Sequence, residues 1–155
     1  MAVYIKYFVH GTTTDNAAKL CSGWKEAMLN DLGKEQAENL GKVSKERGDH
    51  FDIMFTSDLK RAIESSNIAF GEVEKITDKR LRECNYGDLD GEHKSLVIYE
   101  EHVDEAFPNG ESLKDVEKRV RELCDYLKEN YDGKTVGIVA HRAPQLALEV
   151  ITKGI

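Results

Sequence analysis

The sequence predicts an α/β fold built on a mostly parallel central sheet. Two observations carry that prediction. Short runs of Val, Ile, Tyr and Phe alternate with longer stretches whose apolar residues recur at helical spacing. Strand–helix alternation of this kind needs crossover connections, and crossovers make neighbouring strands parallel. The opening run, Val3 to Val9, is apolar except at Lys6, as expected of a strand buried on both faces. With 155 residues, the chain suits one domain spanning 1–155 that has enough core to need no staple.

Each element has its own local reason. Gly11 to Asn16 carries loop and helix-cap chemistry after the first strand. Lys34 to Arg47 places Ala37, Leu40 and Val43 on one helical face, and Gly48 marks its stop. Phe51 to Thr56 is a second strand; Ser57-Asp58 then cap a helix over Leu59 to Phe70. Val73 to Thr77 is a third strand. Leu81 to His93, with Gly87 and Gly91, reads as a loop, and Leu96 to Val103 as a short helix. Pro108-Asn109-Gly110 is a turn. Ser112 caps a long helix carrying Val116, Val120, Leu123 and Leu127. Thr135 to Ala140 is the last strand, and Ala143 to Thr152 the last helix, with Pro144 in its first turn.

Composition narrows the function. Asp and Glu number 29 against 22 Lys and Arg, and a net charge of -7 argues against nucleic acid as a partner. A few basic groups in a cleft can still hold a phosphate. Cys21, Cys84 and Cys124 lack metal or disulfide spacing. No signal-peptide core or stretch of membrane-spanning length is visible, so a cytoplasmic location without membrane contact is expected.

In open α/β sheets, ligands bind beyond the carboxyl ends of strands. His10 follows the first strand and His141 the last, while Ser57 and Arg61 follow the second. Two imidazoles and a guanidinium converging there would form a phosphate site: histidine can attack phosphorus, and the arginine fork matches phosphate oxygens. The residues alone leave open that either histidine is merely a hydrogen-bonded strand-end residue.

Six motifs in order carry a resemblance: His10-Gly11-Thr12-Thr13 with Asn16; Ser22-Gly23-Trp24 followed by Leu29-Asn30-Asp31-Leu32-Gly33; Ser57-Asp58-Leu59-Lys60-Arg61-Ala62; Leu81-Arg82-Glu83 with Gly87 and Gly91; Pro108-Asn109-Gly110-Glu111-Ser112; and Val139-Ala140-His141. On these the chain resembles the histidine phosphatase superfamily, also called phosphoglycerate mutase-like. The resemblance implies a three-layer sandwich and a metal-free reaction without a cofactor. It implies His10 as nucleophile, Gly11 orienting its ring through a carbonyl, and Arg61 and His141 holding phosphoryl oxygens. Glu83 would be the proton donor and later base. Asn16, Thr12, Ser22 and Gly23 would shape the phosphate and substrate site.

Two positions depart from the family pattern. Val9 stands where an arginine normally precedes the nucleophile, and Arg142 where glycine normally follows the second histidine. Losing one charge-assisted contact in a buried site costs roughly 2–4 kcal/mol if uncompensated. Arg142 is the expected substitute cation, with Lys6 and Lys25 behind it. The mutases of the family carry a long insertion before the second histidine. Here Glu83 to His141 reads as mostly one helix, so a phosphatase of small phosphate esters is expected. A phosphohistidine protein phosphatase and a phosphate-sensing module, the latter prompted by Val9, are the alternatives.

Other features are set aside. Gly133-Lys134-Thr135 lacks the first glycine of a P-loop and leads into a strand. His50, His93 and His102 have no metal-ligand spacing. Cys84 reads as a packed bystander, and the Glu100-Glu101, Asp104-Glu105 run as a solvated helix face. Trp24 either lines the substrate mouth or packs against the domain.

Overall fold

Among residues 2–153, which the computed structural model describes, four parallel strands form one sheet. Met1, Gly154 and Ile155 of the expected 1–155 domain lie outside the described residues. The strands are β1 (Tyr4–Val9), β2 (Ile53–Thr56), β3 (Lys75–Thr77) and β4 (Thr135–Ala140), in the order β1-β4-β2-β3. The helices are α1 (Thr14–Ala17), α2 (Asp31–Glu46), α3 (Lys60–Ala69), α4 (Leu113–Asn130) and α5 (Arg142–Lys153).

Side chains alternate across the sheet and so build two apolar layers. Ile53, Phe55, Val136, Ile138 and Ala140 meet Leu123 and Leu127 of α4 on one face. Met54 and Val139 meet Phe8, Leu40 of α2 and Phe70 on the other. The sheet therefore lies between two helical layers, as a three-layer α/β sandwich. Leu127 is 1% exposed, so Leu127→Ala should cost about 2–5 kcal/mol.

The register positions the site. Val9 pairs with Ala140, and Thr56 with Val139, so the carboxyl ends of β1, β4 and β2 are level. The ladder runs one residue further: the His10 amide donates to the Ala140 carbonyl, and the Ser57 amide to the Val139 carbonyl. His10, Ser57 and His141 thus emerge together at one sheet edge.

The structure corrects several expectations. β1 is an edge strand with Tyr4 62% exposed, because only β4 pairs with it. Helix α2 starts earlier, at Asp31, because Asn30 caps the Gly33 amide at 2.8 Å. Ser57-Asp58 do not cap α3 as a pair. Leu59 is its N-cap residue, and Asp58 instead binds the Arg82 fork at 2.7 and 2.9 Å. Leu96 to Val103 forms no α-helix; Lys94–Leu96 and Tyr99–Glu101 are single 3-10 turns. The stretch from Glu83 to His141 is therefore α-helical only over α4, which starts on a Ser112–Asp115 capping box.

Candidate active site

His10 begins the site. Its Nδ1 lies 2.7 Å from the Gly11 carbonyl oxygen. A carbonyl only accepts, so Nδ1 carries the hydrogen and Nε2 keeps its lone pair. Burial pulls the imidazole down to about 4; the Gly11 bond opposes this and the Arg61 charge adds to it. The ring is therefore neutral at pH 7, the form in which an imidazole can act as a nucleophile. The turn itself is anchored on α3: the Gly11 amide donates to Ser65 Oγ at 3.0 Å, and Ser65 Oγ donates to the Arg61 carbonyl at 2.7 Å. A side chain on Gly11 would run into the Gly33 carbonyl, so this turn admits only glycine.

His141 is fully buried, with its ring centroid 5.1 Å from that of His10. Its Nε2 lies 2.8 Å from Ser57 Oγ, while its Nδ1 is buried without a partner. Burial first, then Arg61, His10 and Arg119, push its pKa well below the usual value. A buried polar nitrogen with no partner is costly unless a ligand supplies one.

Arg61, in the first turn of α3, is 1% exposed. Its Nη1 donates to the Lys25 carbonyl at 3.0 Å, and its Nη2 to those of Ser22 and Gly23 at 3.0 and 2.7 Å. Three of the five N–H donors of a guanidinium are thus used on the loop, and two remain for a ligand. Asp90 fixes the same loop by accepting the amides of Gly23 and Lys25 at 2.8 and 2.9 Å.

Glu83 is 7% exposed. Its Oε1 accepts the amides of Cys84 at 2.8 Å and Ala143 at 3.1 Å. Both bonds fall on Oε1, which leaves Oε2 for the cavity. Burial raises the carboxyl above its ordinary pKa, opposed by the Cys84 amide and the Arg61 charge. This carboxyl can hold a proton at a pH where an exposed glutamate has lost it.

His10, Asn16, Ser22, Arg61 and Glu83 share a cavity of about 380 Å³. Leu20, Cys21, Tyr86, Val97 and Tyr99 form its apolar wall, and Lys94 adds a cation. Asn16 uses Oδ1 on the Thr13 amide at 3.0 Å, and Ser22 Oγ donates to Asp15 at 2.7 Å.

Other expected site residues fall elsewhere. Gly11 and Thr12 border a second hollow with Val9 and Gln36. The Thr12 amide and hydroxyl both donate to Gln36 Oε1, at 2.8 and 2.9 Å, so that side chain is turned from the main cavity. Gly23 offers its carbonyl to Arg61. Arg142 is exposed and donates to Gln145 Oε1 at 2.7 Å, three residues along its own helix. It does not line the cavity, and Lys6 is held by Asp49 at 2.8 Å. Trp24 packs against the Glu83 segment: its Nε1 donates to the Glu83 carbonyl at 2.9 Å, and Arg82 lies over its ring.

Sequence reasoning missed Leu20, Cys21, Tyr86, Lys94, Val97 and Tyr99. They reach the cavity through irregular loops and short turns, which leave no periodic signal. Among the described residues, no cluster of three or more His, Cys, Asp or Glu could hold a metal, and no helix is long and apolar enough to cross a membrane.

Comparison with known proteins settles the family. The model of the histidine phosphatase superfamily, branch 1, matches residues 8–150. The chain belongs to this superfamily. Among its histidine phosphatase relatives, the 2,3-bisphosphoglycerate-dependent phosphoglycerate mutase of Allorhizobium ampelinum is 34% identical, over 93% of this chain and 78% of that protein. Bacillus stearothermophilus YhfR superposes with a TM-score of 0.87 at 27% identity, covering 99% of this chain and 81% of that one. A mycobacterial glucosyl-3-phosphoglycerate phosphatase complexed with VO3 superposes at 0.85 and 26%, covering 94% and 79%. Members of this superfamily are phosphatases or phosphotransferases, and the relatives and neighbours of this chain include both kinds.

Proposed function

We propose that this protein is a metal-independent phosphatase of small phosphate monoesters that works through a phosphohistidine on His10. One observation carries the reading: a neutral imidazole with a free Nε2 shares a cavity with a buried carboxyl of raised pKa and a buried guanidinium. His10 Nε2 attacks phosphorus as the ester P–O bond breaks, and Glu83 gives its proton to the leaving oxygen. Water then attacks the phosphohistidine, Glu83 takes the proton, the P–N bond breaks and phosphate leaves. Arg61 and His141 Nδ1 donate to the phosphoryl oxygens, whose negative charge is held in a site of low dielectric.

The size of the cavity, at about 380 Å³, supports a small substrate over a phosphoprotein loop. Its apolar wall faces the alcohol portion. Its free and buried cysteines suit the reducing cytoplasm we propose as its location.

Mutase chemistry is the second reading, favoured by the relatives that bear that name. A mutase must hold two phosphoryl groups on one substrate. The cationic side chains on this cavity wall are Arg61 and Lys94, and Arg61 spends three donors on carbonyls. That balance favours hydrolysis of a monoester.

The test is phosphate release from an aryl phosphate, with chelator present, by the parent and His10→Ala proteins. Chelator-resistant release that disappears in His10→Ala and is inhibited by vanadate supports the reading. Release that survives His10→Ala refutes it. Transfer between phosphoglycerates that outpaces hydrolysis selects the mutase.

A further inference from the structure

We propose that Arg119 and Glu111 are positioning residues that aim the Glu83 carboxyl; the inference rests on Glu83 being the proton donor. Residues 82–86 form no helix or strand, so no regular ladder fixes this backbone. An ion pair from the next part of the chain fixes it instead. Arg119, on α4, donates through Nη1 to the carbonyls of Arg80 and Arg82 at 2.8 and 2.7 Å, and through Nη2 to that of Glu83 at 3.0 Å.

Glu111 holds the guanidinium and also extends its reach. Nε and Nη2 of Arg119 donate to its two carboxylate oxygens, at 3.0 and 2.9 Å. Glu111 Oε1 also accepts the Asn85 amide at 2.9 Å, two residues past the acid. The fork–fork geometry fixes the direction of the guanidinium as well as its charge. Backbone is thereby gripped before, at and after Glu83. The backbone frame then turns the side chain so that Oε1 meets the Ala143 amide and Oε2 is left for the leaving oxygen.

A carboxyl displaced by a fraction of an ångström still holds a proton but delivers it poorly. Such a defect has a kinetic signature that general loss of structure lacks. A poor leaving group needs the proton, whereas a dinitrophenolate leaves without it.

The test compares kcat/KM on glycerol phosphate and on dinitrophenyl phosphate for the parent, Glu83→Gln, Glu111→Gln and Arg119→Lys proteins. This quantity reports the first phosphoryl transfer and not the later hydrolysis in which Glu83 is the base. Glu83→Gln is expected to lose about a hundredfold more activity on glycerol phosphate than on dinitrophenyl phosphate. Glu111→Gln and Arg119→Lys are expected to show the same selectivity at about tenfold. Glu111→Gln keeps the size of the side chain and an acceptor for Asn85, so it decides the case if Arg119→Lys does not fold. Equal losses on both substrates, or none, in Glu111→Gln would overturn the proposal while Glu83→Gln remains selective. Loss of selectivity in Glu83→Gln itself would overturn the assignment of Glu83, and this proposal with it.

Discussion

His141 Nε2 and Ser57 Oγ lie 2.8 Å apart in a fully buried pair. Ser57 Oγ already accepts the Leu59 amide at 3.2 Å, and Nε2 is the acceptor that remains for its own hydrogen. That arrangement puts the His141 hydrogen on Nδ1, the atom without a partner. Ser57→Ala is therefore expected to weaken vanadate binding by about tenfold, the value of one hydrogen bond of roughly 1.4 kcal/mol. Nitrogen NMR of His141 checks the cause: the Nδ1–H tautomer should dominate in the parent and lose its dominance in Ser57→Ala.

The shifted groups set the pH dependence. The proposed mechanism needs His10 neutral and Glu83 protonated, so activity should be bell-shaped, with an acid limb at about 4. The alkaline limb belongs to Glu83 and should disappear in the residual activity of Glu83→Gln on an activated ester. A pH–rate profile of both proteins checks this.

Stability follows the same groups in opposite directions. His10 is depressed, so its contribution is present above its unfolded value of 6.5 and lost as pH falls through about 4. His10→Asn should flatten the fall of Tm over that range. Glu83 is raised, so its contribution is present below 4.5 and lost as pH rises through the folded value. Glu83→Gln keeps an acceptor for both amides and removes the buried charge, so its Tm should exceed that of the parent on the alkaline side. Thermal melts across pH decide both.

Val9 and Arg142 make a paired prediction. Arg142 is exposed and bound to Gln145, so Arg142→Ala should change kcat/KM by less than about twofold. Val9 is 40% exposed and borders the second hollow, which His10 also lines, so the long side chain of Val9→Arg would start beside the proposed nucleophile. It is expected to raise kcat/KM by about tenfold, less than a fully buried charge-assisted contact would give, because position 9 is part exposed to solvent. Steady-state kinetics on an aryl phosphate measure both changes.

The sheet and the histidines were legible in the sequence because β-branched runs, helical spacing and cap residues are local signals. His10 and His141 could be placed at the strand ends without knowing the register. The register itself, which levels Val9 with Ala140, was not legible, because pairing across 131 residues is a tertiary choice. The Leu96 to Val103 segment misled because its apolar residues suggest a helix, yet Val97, between two single turns, and Tyr99, in the second of them, pack against the core. The direction of Arg142 was likewise hidden: charge at a helix start is visible in sequence, but Gln145 decides where it points.

The central claim is that His10 Nε2 accepts the phosphoryl group. The most direct measurement is rapid quench of the parent protein during turnover of an aryl phosphate, followed by mass-spectrometric mapping and phosphorus NMR of the trapped phosphoprotein. The expected result is an acid-labile, base-stable phosphohistidine on His10, substituted at Nε2, which forms as fast as turnover requires and is absent from His10→Ala. Phosphate on another residue, or turnover with no phosphoenzyme under conditions that trap one in a known histidine phosphatase, would contradict it.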